Sequence, residues 1–162
     1  MVDTNKPCVA IIFDASFLIY DVTVPMSIIY TILNRNTEAN IVYCGLPRLC
    51  MHVEDYAQAL RIPKEQLIRI EMCTCTRDHL LTQKKEAEWF AQILTYNPDR
   101  IYCFRDNTHS NATGILCSKA IQKNIPIIEV DHHGNRRAVS KNSPSDISTI
   151  YHSKAGRIPY DV

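Results

Sequence analysis

Residues 99–130, DRIYCFRDNTHSNATGILCSKAIQKNIPIIEV, read as a strand, a polar turn, a helix and a second strand. Asp99–Phe104 is an apolar run ending in an aromatic residue, and Pro126–Val130 is another. Between them the apolar positions Ile115, Leu116, Ala120 and Ile121 recur at helical spacing, so a helix is predicted over 111–123 with these side chains inward. The turn Thr108-His109-Ser110-Asn111-Ala112-Thr113 opens that helix. Its hydroxyls suit either helix capping or, together with free N–H groups, the holding of a phosphate. Two strands joined through a helix in this way lie parallel in one sheet.

Moving outward, the same alternation fills the preceding hundred residues. CVAIIFD (8–14) is a short β-branched run, a strand buried on both faces. Val24, Ile28, Ile29, Ile32 and Leu33 mark a helix over 24–35, with Pro25 suited to its first turn. ANIVYCG (39–45) is a second strand. A helix over 52–61 carries Val53, Tyr56, Ala57 and Leu60 on one face and is stopped by Pro63. QLIRIEM (66–72) alternates apolar and charged residues, as an edge strand with one wet face does. Leu80, Leu81, Ala87, Phe90, Ala91 and Leu94 predict a long helix over 79–95. The expected fold is therefore α/β, a Rossmann-like three-layer domain with a mainly parallel sheet of about five strands. That domain spans 1–131. Residues 132–162 turn polar and lose periodicity, and read as an extension that wraps the domain or is partly mobile.

Composition narrows the function. A net charge of +1 argues against a general nucleic-acid-coating role. No apolar run approaches the ~20 residues of a membrane span, and the polar opening MVDTNKP is unlike a secretory leader. Seven cysteines, an odd number, then read as reduced thiols in a cytoplasmic protein. Cys73 and Cys75 form a C-x-C with His79 as the nearest further ligand, too few for a metal. Only four glycines are present, whereas phosphate-cradling loops usually need several, so any nucleotide site here is expected to be atypical or decayed.

Ligands of open α/β sheets bind at the carboxyl ends of the strands. Four segments are expected to meet there: Asp14-Ala15-Ser16-Phe17, Cys44-Gly45-Leu46-Pro47-Arg48, Arg105 to Thr113, and Asp131-His132-His133.

The 99–130 stretch resembles the carboxyl-terminal signature of the SLOG group, Rossmann-like proteins that include lonely-guy phosphoribohydrolases, DNA-processing proteins and small nucleotide-binding domains. Ser110-Asn111-Ala112-Thr113 takes the place of the group's S-x-G-T, and Ile125-Pro126-Ile127 that of its I/L-P-V strand opening. Ile41-Val42-Tyr43-Cys44-Gly45 is similar to the strand ending in a Gly-Gly turn, with Tyr56-Ala57 and Ile62-Pro63 at the following helix and its exit. Ala15-Ser16-Phe17, with Asp21 downstream, sits where the group often has Gly-Ser-Arg, and Lys84-Lys85 where it has Arg-Asn. The resemblance covers roughly residues 9–130. It implies a site for a nucleotide-derived small molecule. Phosphate would lie near Ser110, Asn111 and Thr113. Gly45 and Arg48 would form the opposite lip, Ser16 and Phe17 would lie at the base or ribose, and Arg105 with Lys84 or Lys85 would supply charge. Ala15, Phe17, Cys44 and Ala112 depart from the group's pattern within the ligand loops, and the P-G-G-x-G-T-x-x-E of the phosphoribohydrolases is absent. These departures suit a sensor, a sequestering protein or an accessory factor better than a fast enzyme.

Two other readings stay open. IIFDASFLIYD resembles the opening of PIN and NYN nucleases. Asp14, Asp55, Asp106 and Asp131, if they converge, would then bind Mg²⁺ or Mn²⁺ and cleave nucleic acid. Alternatively, the chain is a protein–protein adaptor without a ligand. A homo-oligomer is compatible with each reading. Asp131-His132-His133 matches three residues of a phosphoesterase motif but reads as a polar turn. Asp106 with His109 is a possible acid–base pair, and Trp89 reads as packing.

Overall fold

The computed structural model describes residues 3–14, 17, 23–71, 88–105 and 111–139, with backbone only at 111 and 112. Six strands form one sheet: β1 (Cys8–Phe13), β2 (Asn40–Gly45), β3 (Leu67–Ile70), β4 (Arg100–Phe104), β5 (Ile127–Val130) and β6 (Arg136–Val139). Their order across the sheet is β3-β2-β1-β4-β5-β6. The first five are parallel, and β6 runs antiparallel to β5. The helices are α1 (Thr23–Arg35), α2 (Pro47–Ala59), α3, described over residues 88–94, and α4 (Asn111–Gln122). No helix among the described residues is long and apolar enough to cross a membrane.

Helices cover both faces, which is why every residue of β1 is buried. Val9, Ile11 and Phe13 point to the layer of α1 and α2, where Ile28, Ile29, Ile32, Leu33, Leu49, Val53 and Ala57 complete the core. Cys8, Ala10 and Ile12 point to the layer of α3 and α4, against Phe90, Ile93, Leu94, Leu116, Cys117 and Ala120. Trp89 packs at the margin of this second core, as expected. The architecture is the Rossmann-like three-layer domain foreseen in the sequence.

Three details differ from expectation. In α4 the buried stripe is Thr113, Leu116, Cys117 and Ala120, and Ile115 is 45% exposed. The i, i+3, i+4, i+7 pattern simply starts at a threonine and includes a cysteine. In α1, Val24 lies at the first turn and is 39% exposed, while Pro25 is buried in its stead. The sixth strand falls in the segment read as an aperiodic extension, because only Val139 of Arg136–Val139 is buried.

Polar clamps tie the amino-terminal ends of the strands. The Cys8 N–H donates to Asp99 Oδ2 (2.9 Å), and Asn40 Nδ2 donates to the Asp3 carbonyl (2.7 Å). Gln66, in a 3-10 turn before β3, donates to the carbonyls of Thr37 (2.9 Å) and Ala39 (2.8 Å) and accepts from Lys6 Nζ (2.9 Å). The chain winds from β1 outward to β3, then returns across β1 to β4. The order therefore reverses between β1 and β4, and the carboxyl ends of such a reversal are where ligands of open α/β sheets bind.

Candidate functional site

Asp14 and Arg105 stand side by side at that reversal, one residue beyond β1 and β4. The Asp14 N–H donates to the Phe104 carbonyl (2.9 Å), and the Arg105 N–H donates to the Val130 carbonyl (3.0 Å). The strands thus stay paired to the edge of the crevice. Both side chains are fully buried. The Arg105 guanidinium lies 3.5 Å from Glu129 Oε2 and 3.8 Å from Cys117 Sγ. The other Glu129 oxygen faces Arg137 Nη1 of β6 at 3.7 Å. Burial works against the charge on Arg105. The Cys103 and Cys117 sulfurs and the Glu129 and Asp14 carboxylates outweigh it and hold the guanidinium's pKa above its usual value. Opposite charges alternate from Asp14 through Arg105 and Glu129 to Arg137, so no member of the chain is buried without compensation.

This burial revises the roles assigned from sequence. Arg105 is part of the floor of the crevice and not a hook at its mouth. Thr113 is also fully buried, inside the first turn of α4. Phe17 sits beneath the crevice, edge-on to Phe104 at 5.7 Å, within a trio completed by Phe13 at 5.1 Å from Phe104. Its ring is core and presents no face to a base. A hydrogen bond from the Phe17 N–H to the Asp14 carbonyl (3.0 Å) turns the chain there.

Gly45 is the last residue of β2, and Arg48 lies in the first turn of the helix that follows it. Gly45 has φ +121°, and a Cβ there would stand 2.0 Å from the Phe13 carbonyl oxygen. Glycine is required by the approach of β1 itself. Arg48, at the second position of α2 after Pro47, is exposed and makes no ion pair with described residues. Asn111 is the first residue of α4, and its side chain is not described. Ser16, Ser110 and Asp106 lie outside the described residues, as do Ala15, Asp21, Cys73, Cys75, His79, Lys84, Lys85 and His109.

Of the carboxylates of the nuclease reading, Asp14 follows β1 and Asp131 follows β5, on either side of β4, while Asp106 lies outside the described residues. Asp131 Oδ1 accepts from the N–H groups of His133 and Asn135 (both 2.9 Å), and Oδ2 accepts from Asn135 Nδ2 (3.0 Å). It is committed to forming the β5–β6 turn. That turn rests on α1, since a Cβ at Gly134 would meet Val24 at 2.9 Å. His132 and His133 lie on its exposed side with ring centroids 3.8 Å apart and planes tilted by 43°. Asp55 lines a separate cleft beside α2 and β3. Among the described residues no three His, Cys, Asp or Glu side chains gather as a metal site.

Cys8, Cys44, Cys50, Cys103 and Cys117 are all buried, and none forms a disulfide. The hydrogen bond to Cys117, and then burial, push the Cys103 thiol well above its ordinary pKa, so Cys103 is not poised as a nucleophile. Glu129 and Arg137 were missed as parts of the site. The signal was a lone glutamate inside the apolar strand IIEV, which requires a buried cation. No known protein family and no curated protein sequence matches the chain.

Proposed function

We propose that this is a SLOG-type, Rossmann-like binding domain that takes a nucleotide-derived small molecule in the crevice between β1 and β4. The observation that carries the reading is the reversal of strand order between β1 and β4, the place where ligands of such sheets bind. Two features support it. Arg48 is exposed and has no ion pair among the described residues, and six residues separate β4 from α4, whose first N–H groups suit an anionic oxygen. In this reading Arg48, the backbone at Gly45 and the start of α4 touch the ligand. Phe17, Arg105 and Thr113 hold those groups in place from below. A binding or sensing role fits better than fast catalysis, because the buried charges are already paired with one another. The metal-nuclease reading is less well supported, since Asp55 lines another cleft and Asp131 is engaged by the N–H groups of its own turn.

A thermal-shift series with AMP, ADP-ribose and NAD tests the proposal. A ligand at 100 times its Kd adds about 2.7 kcal/mol, a rise of several degrees for a domain of this size. Arg48→Glu should leave the unliganded melting temperature unchanged and weaken binding at least tenfold. A rise with Mn²⁺ alone, or with no nucleotide at all, would refute it.

A further inference from the structure

Cys103, Arg105 and Cys117 meet on the face of the sheet that α4 covers. Cys103 lies in β4, in register with Ile12 of β1 and Glu129 of β5. Cys117 lies in the second turn of α4. Both side chains belong to the core between that helix and the sheet. The Cys103 S–H donates to Cys117 Sγ, so the two sulfurs touch. Arg105 Nη1 donates to the same sulfur at 3.8 Å. Two buried donors, one of them a guanidinium, therefore converge on Cys117. No disulfide joins the pair.

Apolar packing alone does not call for this arrangement. A cysteine in a core serves as a small hydrophobe, as Cys50 does with its sulfur against the Gly45 carbonyl (3.9 Å). A thiol held between a cation and a second thiol has a chemistry as well. The cation makes it the attacking sulfur, and the neighbour is the one that resolves the product. Sulfurs already in contact need only a small approach to reach bonding distance, about 2.05 Å. Once one of them is oxidised, the second step needs neither diffusion nor opening of the fold.

We propose that Cys103 and Cys117 form a redox switch that joins α4 covalently to β4 when the chain meets hydrogen peroxide. The Cys117 sulfur attacks one peroxide oxygen and the O–O bond breaks. This leaves a sulfenic acid, and the thiol proton departs with the other oxygen as water. The Cys103 sulfur then attacks the Cys117 sulfur. The S–S bond forms, the S–O bond breaks, and the Cys103 proton leaves with the hydroxyl as a second water. Two thiols thereby give two electrons to one peroxide. A dithiol reductant reverses the bond by exchange. The bond closes a loop of about 15 residues and suppresses the local opening that would lift α4 from the sheet. The switch stands whatever ligand the β1–β4 site takes.

The test treats the folded, reduced full chain with hydrogen peroxide. Remaining thiols are then blocked with N-ethylmaleimide in denaturant, and the peptides are mapped without reduction. The expected product joins the Cys103 peptide to the Cys117 peptide and leaves Cys8 and Cys50 carrying the maleimide. Dithiothreitol should restore both thiols. The oxidised chain should melt about 6–12 °C higher, from a loop of that length in a domain of this size, and should exchange its α4 amides at least tenfold more slowly. Cys103→Ser should let the Cys117 sulfenic acid accumulate, trapped by dimedone. Cys117→Ser should slow the oxidation of Cys103 at least tenfold. Cys103 and Cys117 recovered as separate maleimide adducts, a bond formed only between other cysteines, or an oxidised chain that melts no higher than the reduced one would overturn the assignment.

Discussion

Glu129 sits fully buried on β5 between the guanidinium groups of Arg105 and Arg137. Removing its charge takes one carboxylate away from the buried Arg105. Glu129→Gln should cost about 3–5 kcal/mol, the usual cost of breaking a buried pair, read by urea denaturation; a cost below about 1 kcal/mol would show the network to be solvated. Two glycines respond in opposite ways to a methyl group. Gly45→Ala drives a Cβ into the Phe13 carbonyl and should prevent the β1–β2 pairing from forming. Nothing lies within 4 Å of a Cβ at Gly114 in α4, so Gly114→Ala should stabilise by about 0.5–1 kcal/mol. Burial, above all, pushes the Cys50 thiol from 9.0 up to about 12 and the Cys8 thiol up to about 11. The folded chain holds these protons more tightly than the unfolded chain. Their contribution is therefore complete below pH 9 and is lost as pH climbs toward 11 or 12. Cys50→Ala should flatten the fall in unfolding free energy between pH 9 and 10.5; an unchanged slope would mean that other groups cause it.

At the scale of elements, legibility followed burial. β1, β2, β4 and β5 are covered on both faces, and their unbroken apolar runs announced them. β3 showed itself by alternation, as the edge strand it is. β6 was hidden because Arg136-Arg137-Ala138 carries no apolar signal, and its pairing depends on a charge contact with Glu129 and on one buried valine. The same limit applied to the site. A charged residue just past a strand reads as surface, so Arg105 was assigned to the mouth of the crevice although its partners draw it into the floor. A chain stopped before β6 loses Val139, Arg137 and the cover of β5. It should unfold about 10 °C below the full chain, from roughly 3 kcal/mol lost at 2–4 °C per kcal/mol. Equal melting temperatures would show that β6 is dispensable.

The whole molecule separates its two ends. Asp99, Asn40 and Gln66 lock the amino-terminal ends of the strands to neighbouring backbone. The carboxyl ends instead carry Asp14 and Gly45 beside a self-neutral buried charge chain, and in the proposed reading Arg48 and the start of α4 join them around the ligand. A ligand there would be positioned by a rigid floor at little ordering cost, the arrangement of a preformed site. The most direct check of this is where a nucleotide leaves its footprint. In a ¹H–¹⁵N NMR titration with ADP-ribose, the account predicts saturable shifts at Asp14, Gly45, Arg48, Arg105 and the first turn of α4, with the amino-terminal clamps unmoved. Saturable shifts confined to any other part of the surface, or none at millimolar ligand, would contradict it.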